Sequence, residues 1–562
     1  MRREVSVVNK KVCSFPILFA LLALLIGTCA VVFPASAQAA PTSTGSITVS
    51  GTVASSYDAY QIFSANVVDG DSDAKIATDL AWANDAARDA ALPVLHSAGM
   101  PNSQTTAQEA AEWLNTDSHL TSALSAQLAR SLQSSGAEPV ALNAGTAAEL
   151  PCGYWLIVAK DDAIAQGEAG TAPIMALVGG SAVTVKPKAA TPKVAKHVLE
   201  DSTAAWGKAA DATVADDLYW RLSATVPAGL TAYDTYAVQF VDTMSAGLDP
   251  SKVAASMRVY VAAGADGGFD AVPTGKDGHA DTEPAKGWTD ITAQCVTKMA
   301  ADGTFTVRTG DLIAALGGAD AFAAGARVVA VYNAPLSSAC NHGIAKGNPN
   351  EVYLRYPRSP FADQSGDAGF TRTPSDDACA YTWDLALTKR GSDGDKPLAG
   401  AVLSIADDRD RTLAADGTWG AEGKATVTTG EDGRVTVSGV DSGKLEVREL
   451  KAPKGYTAFE GARSVTVKAE GLDVDQVAAA KPKLTITAES PLRADSADGS
   501  TGSLEASLIN TPTGTPPSIT TGGFMPSTGD MAMYAAAAAA VAGAALIVVA
   551  LLVKRGGGSH KE

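Results

Sequence analysis

Short runs of alternating apolar and polar residues recur along almost the whole chain: ITVSGTV, YWLIV, SAVTVKP, RVVAVY, EVYLRY, KATVTT, GRVTVSGV, KLEVREL, RSVTVKA and KLTITA, separated by Gly, Asp, Asn and Pro. A two-residue period turns one side of each run toward a core and the other toward water, the pattern of half-buried strands. Many such strands with turn residues between them specify an all-β dominated chain of tandem β-sandwich domains. One stretch departs from this pattern. Between about Ala74 and Leu142, apolar residues return at helical spacing, as in TAQEAAEWL and LTSALSAQLARSL, so a helical insertion is expected in the first domain.

Both ends are apolar. Arg2, Arg3, Lys10 and Lys11 precede an apolar stretch from Phe15 to Phe33 and the small-residue segment PASAQAA, the form of a secretory signal peptide cleaved after Ala37 or Ala39. At the other end, Met531 to Val553 carries no charge and is long enough, at about 1.5 Å per residue, to cross a hydrocarbon core of roughly 30 Å. Lys554 and Arg555 follow it, which predicts a transmembrane helix with a cytoplasmic basic tail and everything before it outside.

The net charge of -17 argues against binding a phosphate backbone, so no nucleic acid partner is expected. With Cys13 and Cys29 in the signal peptide, Cys152, Cys295, Cys340 and Cys379 would meet an oxidising compartment. One or two disulfides are then possible, with Cys340 paired to Cys295 or to Cys379 as the candidates. No CxxC and few His residues occur, so no metal is expected. GxSxG, HExxH and Walker motifs are absent, which argues against a turnover enzyme.

Loops of linker composition mark the domain boundaries at VKPKAATPK, Val185 to Lys193, and at RSPFADQSGDAGFTRTPSDD before Tyr381. The Thr-, Pro- and Gly-rich TPTGTPPSITTGG forms a final linker.

The third domain opens with YTWDLALTKRG, carrying Lys389, and closes with LEASLIN, carrying Asn510. First and last strands of a sandwich often lie side by side. In LEVRELKAPKGY, Glu449 shares the strand parity of Leu445 and Val447, so all three point inward. Burial disfavours the charged forms of an amine and an acid alike. A neutral lysine can attack the carboxamide carbon of an Asn while a protonated acid polarises the carbonyl and relays protons, which expels ammonia and leaves an amide between side chains. Such a reaction happens once and needs no cofactor.

PLAGAVLSI, LEVRELKAPKGY and the terminal LIN resemble the collagen-adhesin B-type immunoglobulin-like domain of Gram-positive surface proteins. The resemblance implies a Lys389 to Asn510 isopeptide bond with Glu449, the acid of the so-called E-box, as its catalyst. The middle domain resembles the related A-type arrangement: VAKHVLED offers Lys196, VQFVDTMSAGL offers the acid Asp242 and GNPNEVYLRYP offers Asn350, with Lys193 and Asn348 as alternatives. The first domain, with YDAYQIF and LPCGYWLIV, resembles the N-terminal domain of backbone pilins. Its opening ITVSGTV has no Lys, so no isopeptide bond is expected there.

FMPSTGD, followed by the apolar span and the basic tail, resembles a sortase sorting signal of the LPxTG class: Met525, Pro526, Ser527, Thr528 and Gly529, with Met525 at the usual Leu position. A sortase cysteine would cut between Thr528 and Gly529. VTVKPK resembles the end of the pilin motif VxVYPK, with Lys188 as the amine that would join Thr528 of the next subunit and Lys186 as the alternative. The chain thus resembles a sortase-assembled major (backbone) pilin. The implied order is a signal peptide over 1–39, an N-terminal pilin domain over 40–187, a middle A-type domain over 188–360 and a B-type domain over 375–512. A linker with the sorting motif over 513–530, the span over 531–553 and the tail over 554–562 complete it.

The partners that follow from the resemblance are a pilin-specific (class C) sortase, a housekeeping sortase, identical subunits, minor or tip pilins and peptidoglycan. The chain would be secreted and anchored to the cell wall at the surface, held by the membrane only before cleavage. The alternative is a monomeric wall-anchored adhesin that binds host protein or carbohydrate.

Overall fold

The computed structural model describes residues 44–514 apart from 72–73, 117, 171, 189, 270–285 and 421–423. The signal peptide, the sorting motif, the apolar span and the basic tail lie outside the described residues. Among the described residues no helix is long and apolar enough to cross a membrane. The fold is mostly β, in three successive layered units.

In the first unit, a five-stranded sheet built around Ser56–Asp69 and Gly153–Ala159 is covered on both faces. Trp155 and Ile157 face the small sheet of Thr44–Val49, Ala147–Pro151 and Val183–Val185, whereas Leu156 and Val158 face the helices. Burial on both sides is why YWLIV reads as a continuous apolar run. The helices are Asp85–Ser97, Ala107–Asn115 and Ser122–Ser134. They begin at Asn84, Thr106 and Thr121, each of which accepts a hydrogen bond from a backbone N–H of the first turn, and Thr106 with Glu109 forms a capping box. The helical insertion starts later than Ala74: Lys75–Trp82 is an edge strand paired with Ser56–Asp69.

The second unit packs a six-stranded sheet, in which Lys193–Glu200, Tyr219–Val226, Ala326–Asn333 and Arg258–Ala263 are successive neighbours, on a seven-stranded one containing Gln239–Met244 and Asn348–Pro357. Trp220, Phe240, Phe305, Leu354 and Tyr356 fill the core between them. The third unit packs Arg434–Val440, Trp383–Gly391, Ser503–Asn510 and Leu492–Asp498 on a sheet that includes Val402–Ala406, Gly443–Lys451 and Ala462–Glu470. Its first and last strands, Trp383–Gly391 and Ser503–Asn510, are parallel neighbours.

Two stretches sit differently from the boundaries expected of them. Asp376–Tyr381, placed by composition in the third domain, pairs with Asn348–Pro357 and so completes a sheet of the second unit. The chain crosses to the third unit at Thr382. RSPFADQSGDAGF is a strap across the first two units, not a spacer before the third: Gly170 N donates to Arg358 O at 2.7 Å, Gly167 N to Thr371 Oγ1 at 2.8 Å and Arg130 to Pro360 O at 3.2 Å, and Ser359 bonds Asp161. The backbone carbonyls of Arg358 and Pro360, the Ser359 hydroxyl and that of Thr371 just beyond make these bonds, a use that composition alone cannot reveal.

Candidate functional site

Two buried constellations of a lysine, an acid and an asparagine occupy the second and third cores. In the third unit, Lys389 and Asn510 come from the neighbouring parallel strands, where Lys389 is level with Leu508 and Gly391 with Asn510. Glu449 reaches them from the opposite sheet, on the same face of Gly443–Lys451 as Leu445 and Val447. Lys389 Nζ lies 3.6 Å from Glu449 Oε1 and donates to Leu508 O at 3.2 Å. Asn510 Nδ2 donates to both Glu449 oxygens, at 2.9 and 3.0 Å. Burial lowers the Lys389 amine from 10.5 to about 8, against the opposing pull of Glu449.

The second constellation spans its core. Lys196 and Tyr332 flank the Tyr219–Val226 strand, opposite Leu222 and Trp220. Asp242 and Asn350 come from the facing sheet, where Met244 is level with Asn350 and Asp242 with Val352. All four side chains are shielded from solvent. Lys196 bonds Asp242 and donates to Tyr332 Oη at 2.9 Å. Tyr332 Oη donates to Asp242 Oδ2 at 3.0 Å, and Asn350 Nδ2 donates to Tyr332 Oη at 2.9 Å. Burial lowers the Lys196 amine to about 8 and raises the Asp242 carboxyl, both toward the neutral pair, although each partner's charge opposes the shift.

The alternatives are placed elsewhere. Lys193 is exposed, and Asn348, though buried, is engaged with Asn341 and Ala380 O. The amide oxygens of both Asn350 and Asn510 are buried without a hydrogen-bond partner. An unpaired buried oxygen costs roughly 1 to 3 kcal/mol, and here it leaves each amide oxygen able to accept from a proton donor. Tyr332 was not singled out in the sequence. The alternation of RVVAVY turns it inward, yet a buried aromatic is ordinarily packing alone.

Lys186 and Lys188 are exposed on either side of buried Pro187. They follow Val183–Val185, which runs parallel to the opening strand Thr44–Val49. Met525 to Gly529 lie outside the described residues.

Among the described residues neither candidate disulfide is formed: Cys340 is joined to neither Cys295 nor Cys379. Cys295 donates to Ile291 O at 3.3 Å and Cys379 Sγ lies against Gly347, while Cys340 sits in a loop beside Gly247. Each thiol is packed into its own neighbourhood.

Residues 384–481 match the SpaA prealbumin-like fold domain family. No curated protein matches the chain. Among solved structures, the T6 backbone pilin of serotype M6 Streptococcus pyogenes is similar at 17% identity and a TM-score of 0.45, covering 85% of this chain and 100% of that one. The full-length major pilin SpaD from Corynebacterium diphtheriae is similar at 15% identity and 0.41, covering 85% and 100%. BcpA, the major pilin subunit of Bacillus cereus, is similar at 10% identity and 0.38, covering 84% and 99%.

Proposed function

We propose that this chain is the structural major subunit of a covalent surface pilus, in which a pilin sortase joins the Thr528 carbonyl of one subunit to Lys188 of its neighbour. The observation that carries this reading is the convergence of Lys389 and Asn510 on one buried carboxylate, Glu449. A neutral Lys389 attacks the Asn510 carboxamide. Turning that amide about its last bond exchanges oxygen and nitrogen, so that protonated Glu449 donates to the carbonyl as the attack proceeds. Ammonia leaves, and no cofactor takes part. Lys196, Asp242 and Asn350 perform the same reaction in the second unit.

The positions of these bonds fit a load-bearing role. Between Lys188 and Thr528 the chain runs through the second and third units only, so the first unit stays outside the path of tension. That unit therefore needs no bond of its own. A Lys196 to Asn350 link and a Lys389 to Asn510 link would each shunt force past a sandwich, and each closes a loop of more than a hundred residues. By analogy with disulfides such closure stabilises by about 4 to 5 kcal/mol. The housekeeping sortase, peptidoglycan and minor pilins enter this reading as the means by which the polymer is anchored and tipped.

Boiling cell-wall extracts in detergent tests the assignment. Wild type should give a ladder of covalent multimers that disappears with Lys188→Ala. A single band from the wild type would instead favour a monomeric wall-anchored adhesin.

A further inference from the structure

The two constellations are not equivalent. In the third unit the carboxylate of Glu449 spans amine and amide directly, 3.6 Å from Lys389 Nζ and 2.9 Å from Asn510 Nδ2. Asp242 is one methylene shorter. It bonds Lys196, but the hydrogen bond of Asn350 Nδ2 goes to Tyr332 Oη, and Asp242 Oδ1 accepts none. Tyr332 thus contacts all three members of its site, while packed edge-on against Phe305 with ring centroids 4.9 Å apart.

We propose that Tyr332 is a catalytic residue of the second unit, the relay that carries a proton from Asp242 to the departing nitrogen of Asn350. The proposal rests on the isopeptide reading above. The bond from Lys196 Nζ to Asn350 Cγ forms as protonated Asp242 gives its proton to the carbonyl oxygen, and the carboxylate then takes one proton from Nζ. Tyr332 Oη passes its proton to Asn350 Nδ2 and is reprotonated by Asp242. The Cγ to Nδ2 bond breaks, ammonia leaves, and the proton on the oxygen returns to Asp242. One C–N bond is made and one broken, with no oxidant or reductant. Burial and the neighbouring Asp242 carboxyl keep the phenol protonated until it is needed.

The test is intact-mass analysis of the full chain sampled during cell-free synthesis, with peptide mapping to read the two bonds separately. In wild type both units should become one ammonia lighter. Tyr332→Phe should slow the loss in the second unit by about 100-fold and leave the third unit at its normal rate. Adding Asp242→Glu to Tyr332→Phe should restore much of the rate, because the longer acid reaches the departing nitrogen of Asn350 itself. A purely structural role for the phenol would give no such rescue. Reaction of Tyr332→Phe at the wild-type rate overturns the proposal. If that variant fails to fold, ring-fluorinated tyrosine at 332 keeps the packing and makes the phenol more acidic: a changed rate supports the relay and an unchanged rate overturns it. A wild-type second unit that never loses ammonia overturns the isopeptide reading itself, a distinguishable outcome.

Discussion

Lys389 and Asn510 stand on adjacent parallel strands, two residues out of register, and both reach the same oxygen of Glu449. Glu449→Ala should therefore leave the third unit one ammonia heavier, apart from the substitution itself, without altering the second. The unit should also unfold roughly 15 °C lower by calorimetry, since about 4 to 5 kcal/mol of loop closure is lost. An unchanged mass difference would remove Glu449 from the reaction.

Force should reveal the same bond. With both links in place, pulling a subunit from Lys188 and its C-terminal linker cannot extend the residues between Lys389 and Asn510. In Lys389→Ala those residues are released, and a new unfolding step of about 400 Å should appear in single-molecule traces. Identical traces for the two proteins would show that the wild type carries no link there.

The reaction in the second unit should have a bell-shaped pH profile. Attack needs a neutral Lys196 together with a protonated Asp242, so the pair must hold one proton between them. Above about 8 that proton is lost and the rate should fall. At low pH the pair gains a second proton and the amine is blocked. The lower limb is governed by Asp242, whose carboxyl is raised by burial. Initial rates of ammonia loss across pH check this, and a rate that keeps climbing well above 8 would contradict the acid's role.

Much of the placement of these side chains was legible because strand parity is a strict code. Shared parity with Leu445 and Val447 turns Glu449 inward, whereas the choice of Lys196 over Lys193 comes from the structure, where Lys196 is buried and Lys193 exposed. Asn348 and Asn350 have equal parity, so sequence could not choose between them. The choice follows from register, because Asn350 is level with Met244, two residues from Asp242, whereas Asn348 is held by Asn341. The strap from Arg358 and the strand Asp376–Tyr381 were misplaced for a related reason. Composition identifies a polar loop or a short strand but not the unit with which it pairs.

The joint between the second and third units carries an acid that ought to be felt in solution. Glu200 accepts from Asp211 N at 3.1 Å and is raised to about 7 by burial and by Asp211, near Asp201. Its folded form binds more protons than its unfolded form between about 4.5 and 7, so stability falls as pH rises through that window. Glu200→Gln should accordingly raise the melting temperature by a few degrees at pH 8 and change it little at pH 4. Equal shifts at both pH values would mean that the effect is not one of ionisation.

The central claim is a covalent joint between subunits, and the most direct measurement is tandem mass spectrometry of a protease digest of polymer from the cell wall. The account predicts a branched peptide in which the Lys188 amine carries the peptide ending at Thr528. A digest in which Lys188 is free throughout, with Thr528 joined only to peptidoglycan or to another lysine, would contradict it.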